Sequence, residues 1–165
     1  MSTDFNKYFA HYTGLVDQRE MIDAIDENHK EFLALLSTID EEKALYRYAD
    51  DKWSIKELVA HITDSERVFA YRALRFARND KTDLAGYDEN QFAIFSGAEE
   101  RSLADLKEEF DLTRQSTLAL FKSFDQEMLA REGTANDIKI DVRSLGYLVA
   151  GHCQHHINIL KERYL

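Results

Sequence analysis

Residues 53–78, WSIKELVAHITDSERVFAYRALRFAR, contain the clearest helix signal of the chain. Ser54 and Glu57 match a capping box, in which the serine hydroxyl accepts from a free backbone N–H and the glutamate reaches back to the cap. Trp53 precedes the cap and can pack on Leu58 as a hydrophobic staple. Apolar residues then recur at helical spacing on one stripe, which predicts a long helix with one face in a core. That stripe comprises Ile55, Leu58, Val59, Ile62, Phe69, Ala73 and Phe76.

Three further segments carry the same helical spacing of apolar residues. They are residues 16–36, the segment from a predicted cap at Ser102 to about residue 124, and residues 145–163 behind a predicted cap at Ser144. The chain contains no proline, so its composition offers nothing that breaks long helices. Four long amphipathic helices predict an all-α fold of the four-helix bundle class.

The segments between these helices read as connections. Residues 40–51 and 79–86 are predicted loops, and residues 88–95 are predicted as a short helix or an ordered lid. Residues 125–141 contain turn signals and one short extended piece at residues 138–140. With 165 residues, no internal repeat and no interdomain linker, we expect a single domain over residues 1–165.

Composition excludes several classes of partner. The net charge of −10 gives no basic excess for neutralising phosphates, so we expect neither nucleic acid nor an anionic membrane surface as a partner. No apolar run is long enough to cross a bilayer, and the mean hydropathy is −0.48. The first five residues lack the basic and apolar regions of a secretory signal, which predicts a cytoplasmic location.

The single cysteine, Cys153, excludes an intrachain disulfide and agrees with a reducing compartment. A lone buried thiol is more often a small hydrophobic residue than a nucleophile. On a helix it also points about 100° away from the neighbouring His152. We therefore interpret Cys153 as chemically inert.

Three histidines lie on predicted inward stripes. His61 belongs to the stripe of the capped helix, and His152 and His156 are one turn apart in the last helix, so that both can face one atom. A third imidazole from a facing helix would complete three nitrogen ligands and leave a coordination position open, as in catalytic metal sites. Spacing alone also permits His152 and His155, at i and i+3, as the pair of ligands. Otherwise His155 is a residue at the helix edge that bonds a nearby carboxylate or water. His11 and His29 have no partner at ligand spacing.

Other chemistries are weakly indicated. The sequence has no glycine-rich phosphate loop, no paired-cysteine zinc motif and, on the ligand helices, no Glu-x-x-His motif of the di-iron bundles. A ligand set of imidazoles without carboxylates favours one borderline divalent metal, zinc or nickel, over a dinuclear iron site. Asp64 and Ser65 are close to His61 on one helix but do not form a nucleophile elbow. Glu66 is interpreted as a surface residue of an acidic protein, or as a partner of a metal ligand.

In five motifs the chain resembles the DinB-like superfamily of metal-binding four-helix bundles. They are KWSIKE at residues 52–57 followed by His61, DSER at 64–67, YRALRFAR at 71–78, GYDEN at 86–90 and GHCQHH at 151–156. The resemblance implies that His61, His152 and His156 are the metal ligands, which favours His156 over His155. It also implies a homodimer and no role in DNA binding.

The resemblance implies a range of activities for this site. Some members of the superfamily are transferases that activate a low-molecular-weight thiol such as bacillithiol, mycothiol or glutathione, and others are labelled metal-dependent hydrolases. The leading hypothesis is transfer of such a thiol to an electrophilic small molecule, because a bound cation lowers the pKa of a coordinated thiol. Arg72 and Arg75 are candidates for binding the carboxylates of the thiol cosubstrate. The alternatives are hydrolysis, and a bundle that binds metal or ligand without catalysis.

Overall fold

Long helices dominate the computed structural model, which describes residues 3–16 and 18–165, with side chains from residue 9 onward. Residues 1, 2 and 17, which belong to the N-terminal sequence and to the predicted first helix, lie outside the described residues. The helices are α1 (Thr3–Gly14), α2 (Met21–Leu36), α3 (Ile55–Ala77), α4 (Glu89–Phe95), α5 (Leu103–Lys122), α6 (Gln126–Leu129) and α7 (Val142–Ile159). A two-stranded antiparallel hairpin, β1 (Glu132–Ala135) and β2 (Ile138–Asp141), precedes α7.

The four long helices α2, α3, α5 and α7 pack on one another and form the predicted four-helix bundle. The capping box at the start of α3 is present: the Ser54 hydroxyl accepts from the Glu57 amide, and the Glu57 carboxylate accepts from the Ser54 amide at 2.8 Å. Ser102 caps α5 in the same way by accepting from the Asp105 amide. Among the described residues, no helix is long and apolar enough to cross a bilayer.

Two apolar clusters fill the bundle, one towards each end. On α3, the apolar residues within 55–62 belong to one cluster and those within 69–77 belong to the other. The other three long helices also contribute residues to both clusters. The turns between the clusters bury polar side chains. This polar layer consists of Asn28, Glu66, Arg114 and His152, all at most 4% exposed. A buried polar layer therefore divides the core of the bundle into two apolar clusters.

Three details of the predicted helices are wrong. The predicted helix over residues 16–36 begins only at Met21, and a separate helix, α1, precedes it. No proline marks that boundary, and the polar residues around it are compatible with a helix. Ser144 does not cap α7, because Asp141 does so by accepting from the Ser144 amide at 2.6 Å. The spacing of apolar residues also predicts Leu112 on the apolar face of α5, but its side chain is 60% exposed.

The connections agree better with the sequence. The short helix predicted in residues 88–95 is α4, with Asp88 as its cap, and it contacts α3. The short extended piece predicted at residues 138–140 lies in β2. The turn that joins β1 and β2 places Asn136 and Asp137 at positive φ, which Asn and Asp tolerate better than most residues.

Helix α1 lies against α7 with close backbone contact at Gly151. A Cβ atom at residue 151 would lie 2.1 Å from the carbonyl oxygen of Tyr12, which belongs to α1. Only glycine therefore permits the observed approach. Since Gly151 precedes His152, this contact also fixes where α1 sits relative to the histidines.

The Gly151→Ala variant is expected to lower the free energy of unfolding by about 1–3 kcal/mol, because the backbone of α1 must move away. In a helix without this contact the same change would gain about 1 kcal/mol. The matched control is Gly14→Ala at the end of α1, where an added Cβ meets no atom within 4 Å. Urea unfolding of both variants measures the difference, and equal stabilities would contradict the close-contact argument.

Candidate metal centre

Three histidine side chains from two helices meet inside the bundle. His61 comes from α3, and His152 and His156 come from successive turns of α7. The Nε2 atom of His152 lies 3.1 Å from Nε2 of His61 and 3.2 Å from Nε2 of His156. All three residues are at most 7% exposed. The structure thus brings together the three histidines that the sequence singled out.

Burial keeps these imidazoles neutral. It lowers the pKa of His61 to about 4, and the pKa values of His152 and His156 lie well below the ordinary value for the same reason, with the neighbouring histidines adding to the effect. A neutral imidazole carries one free nitrogen lone pair, which is the form that binds a metal. At neutral pH the three rings are therefore in the neutral form, which can coordinate a metal ion.

The spacing of the nitrogen atoms fits a small divalent cation. Zinc–nitrogen bonds of about 2.0–2.1 Å at a tetrahedral angle place the nitrogen atoms about 3.3 Å apart. The two observed Nε2 separations, 3.1 and 3.2 Å, are close to that value. Among the described residues, this is the group of His, Cys, Asp and Glu side chains whose donor atoms converge, and no carboxylate joins it. Such a donor set suits zinc or nickel.

The surroundings of the triad are aromatic. The Trp53 ring lies on His61 with centroids 4.4 Å apart, and Tyr12 of α1 contacts His152 with centroids 5.6 Å apart. The Nδ1 atom of His156 is buried and has no hydrogen-bond partner among the described residues. The His156 imidazole packs against the rings of His61, His152 and His155, with centroids 4.6–5.0 Å apart.

The remaining histidines lie outside the triad. Nδ1 of His155 is 3.1 Å from Nε2 of His11, so His155 pairs with α1 and not with His152. His29 is largely buried and its Nε2 lies 2.7 Å from a carboxylate oxygen of Asp111. In the structure, His156 is the residue of the pair His155 and His156 whose Nε2 atom approaches His152.

Cys153 and the two candidate arginines have different surroundings. Cys153 is buried, and burial raises the pKa of its thiol to about 11, in agreement with an inert residue. Arg75 binds Asp80 and Tyr71, and Arg72 donates to the Ala85 carbonyl at 3.1 Å. Arg72 and Arg75 are 11 and 14 residues beyond His61 on α3, about 16 and 21 Å along the helix axis. The structure does not bring them to the triad, and their role in cosubstrate binding stays a prediction.

A buried ion pair beside the triad was not predicted from the sequence. Glu66, interpreted from the sequence as a surface residue or as a partner of a metal ligand, is 2% exposed and pairs with Arg114, which is fully buried. The guanidinium Nε and Nη2 atoms lie 2.9 and 2.7 Å from Glu66 Oε2, and Nη1 donates to the Ile25 carbonyl. A signal was present, since Glu66 and Arg114 each occupy a position in the apolar stripe of a helix.

Asn28 connects this ion pair to the helix that carries two of the histidines. Its side-chain oxygen accepts from Arg114, and its amide nitrogen donates to the Ala150 carbonyl at 2.7 Å. Ala150 is two residues before His152 on α7. The polar layer thus joins α2, α3, α5 and α7 next to the triad, and we infer that it fixes the relative positions of the two helices that supply histidines.

The depressed pKa values predict that the metal-free protein loses stability in mild acid. Below the ordinary histidine pKa of about 6.5 the unfolded chain takes up protons, whereas folded His61 takes one up only near its pKa of about 4. The stability is complete above pH 6.5 and falls as the pH drops, by about 1.4 kcal/mol per pH unit for each ring. Urea unfolding at pH 7 and pH 5 should show a loss about 2 kcal/mol smaller for His61→Ala than for the wild type. Equal losses would contradict the prediction.

A helical bundle with a buried cluster of three histidines is the arrangement expected of a metal-binding bundle protein. Comparison with known protein families identifies the family. Residues 24–160 match the DinB superfamily, and the chain belongs to that superfamily. Among solved structures it is similar to YfiT from Bacillus subtilis, described as a probable metal-dependent hydrolase with an unusual four-helix bundle topology. The TM-score is 0.77 at 17% identity, over 86% of this chain and 82% of YfiT. No curated protein matches the chain.

Proposed function

We propose that His61, His152 and His156 bind one divalent cation, zinc or nickel, and that the protein is a metal-dependent transferase. Its reaction would join a low-molecular-weight thiol to an electrophilic small molecule. The observation that supports this proposal is the convergence of three buried, neutral imidazoles with Nε2 separations of 3.1 and 3.2 Å. Three protein ligands leave coordination positions for a substrate, as in catalytic sites.

A donor cluster made only of imidazoles is compatible with thiol transfer, since it leaves a coordination position for the thiol. When bound, the cation would lower the pKa of a coordinated thiol, which is then deprotonated without a separate base. Among the described residues, no carboxylate oxygen joins the three nitrogen atoms.

The protein residues would have three roles. The three histidines hold the cation, and their low pKa values keep them neutral and available at physiological pH. Trp53 and Tyr12 cover the His61 and His152 rings and reduce the access of water. The pair of Glu66 and Arg114 maintains the spacing between α3 and α7 through Asn28.

Hydrolysis is the second candidate, and the description of YfiT as a probable metal-dependent hydrolase supports it. The same triad serves both reactions, since a cation can also lower the pKa of water. A change in the metal-centred absorption spectrum on addition of thiol would favour transfer. Hydrolytic turnover with no such change would favour hydrolysis.

The direct test of the proposal is product formation from a thiol and a model electrophile. The metal-reconstituted protein is incubated with bacillithiol, mycothiol or glutathione and an activated chloronitrobenzene. We expect thioether product with at least one thiol, retained activity in His155→Ala and lost activity in His152→Ala. No product with any of the three thiols would overturn transfer. A non-catalytic metal-binding bundle would then bind the metal and show neither transfer nor hydrolysis.

A homodimer also stays a prediction for this protein. Several apolar side chains on the outside of α4 and α5 are exposed, including Ile94, Phe95 and Leu112 at 60–80%. Light scattering of the metal-loaded protein measures the oligomeric state. A mass equal to one chain, 19.2 kDa, would contradict the dimer.

A further inference from the structure

A cleft of about 270 Å³ adjoins the triad. His156 forms part of its lining. Trp53 lines the same cleft and lies on the His61 ring, with centroids 4.4 Å apart. A molecule in this cleft would therefore lie beside the triad.

The walls of the cleft are largely apolar and held in place. Tyr48, Trp53 and Tyr164 supply aromatic rings, and Leu58 and Ile159 supply aliphatic groups. The Tyr164 hydroxyl donates to the Trp53 carbonyl at 2.7 Å, and the Tyr48 and Tyr164 rings meet edge to face with centroids 5.0 Å apart. Aromatic walls that already contact one another form a preorganised site for a flat apolar group.

The charges around the cleft balance one another. Asp51 and Lys52 on its rim form an ion pair at 2.6 Å, and Asn90 on the same rim is neutral. The rim of the cleft therefore offers no unpaired charge to a ligand. The cleft volume of about 270 Å³ is slightly below the usual range for small-molecule sites, about 300–1,000 Å³, and suits a small group.

We propose that this cleft binds an uncharged aromatic ring of the substrate and directs the substituent on that ring towards the triad. The inference rests on the proposed function for the role of the triad, and it names the class of the electrophilic substrate. Ring binding itself depends on Tyr48, Trp53 and Tyr164 and needs no metal.

The test has two arms, and both use the fluorescence of Trp53, the single tryptophan of the chain. In the first arm, the metal-free protein is titrated with benzyl alcohol and with ethanol as the control without a ring. In the second arm, the zinc-loaded protein is titrated with benzohydroxamate and acetohydroxamate, which chelate a cation through the same two oxygens. We expect saturable binding of benzyl alcohol but not of ethanol. Benzohydroxamate should bind at least about tenfold more tightly than acetohydroxamate, because the cleft buries its ring.

Two matched variants locate the effect. Tyr48→Ser removes one aromatic wall and should weaken benzohydroxamate binding at least about fivefold, with little change for acetohydroxamate. The control is Tyr46→Ser, since Tyr46 contacts the same Tyr164 ring, with centroids 6.2 Å apart, but does not line the cleft. Equal losses in the two variants would contradict direct ring binding by Tyr48.

The outcomes separate this inference from the proposed function. If zinc does not bind, the proposed function fails, and the benzyl alcohol titration still decides whether the cleft takes a ring. If zinc binds, the two hydroxamates bind equally and benzyl alcohol does not saturate, the metal site stands and the aromatic cleft is overturned.

Discussion

Replacement of His152 by alanine is expected to lower the affinity for zinc or nickel by at least about a thousandfold. His152 is the central residue of the triad, since its Nε2 atom is the one within 3.2 Å of both other Nε2 atoms. Removing a direct ligand should cost more than the loss of an outer partner, which typically lowers metal affinity about 10–100-fold. The measurement is a competition titration against a chelator of known affinity.

The control for this variant is His155→Ala, which removes a histidine from the same helix. His155 pairs with His11 and lies outside the triad, so its loss should leave metal affinity within about threefold of the wild type. Thermal unfolding gives a second readout. A ligand at about 100 times its dissociation constant adds about 2.7 kcal/mol of stability, so metal should raise the Tm of the wild type and of His155→Ala but not of His152→Ala. Equal metal affinity in the two variants would contradict the ligand assignment.

Replacement of Glu66 by alanine is expected to lower the free energy of unfolding by about 3–5 kcal/mol. The change leaves the fully buried Arg114 guanidinium without its counter-ion, and arginine stays charged under all ordinary conditions. The network would keep the Ile25 carbonyl and Asn28 as acceptors, but neither carries a charge. Urea denaturation at pH 7 measures the loss.

Two further variants show whether the buried charge is the cause. Glu109→Ala removes a carboxylate from a partly exposed ion-pair cluster with Arg67 and Arg101, and should cost about 1 kcal/mol or less. The double variant Glu66→Leu/Arg114→Met removes both charges and should be more stable than Glu66→Ala alone. A loss below about 1 kcal/mol in Glu66→Ala would contradict the view that the polar layer depends on this pair.

The sequence predicts the bundle and the triad well because both depend on local spacing. The capping box at Ser54 and the apolar stripe behind it are local patterns, and α3 begins and ends within a residue of the predicted bounds. The separation of four residues between His152 and His156 fixes their common side of α7. The fold and the superfamily are confirmed, and the meeting of His61 with the other two histidines follows from helix packing.

Features that depend on long-range packing could not be read from local patterns. The interpretation of Glu66 as a surface residue was wrong because its partner, Arg114, is 48 residues further along the chain. A charged residue in the apolar stripe of one helix does not by itself show whether its side chain is buried. Burial becomes the better interpretation when the stripe of a second helix contains a residue of opposite charge. The packing of α1 against Gly151 likewise depends on a backbone contact between residues 12 and 151. The cap of α7 was misplaced by three residues because Asp141 also ends β2.

The measurement that tests the account most directly is a titration of the metal-free wild-type protein with zinc, followed by the fluorescence of Trp53. This residue lies on the His61 ring, so binding at the triad should change its emission. We expect a saturable change that ends at one equivalent of zinc per chain and that disappears in His152→Ala. A wild type that shows no saturable zinc binding, or binding that survives in His152→Ala, would contradict the central claim that the three histidines form a metal site.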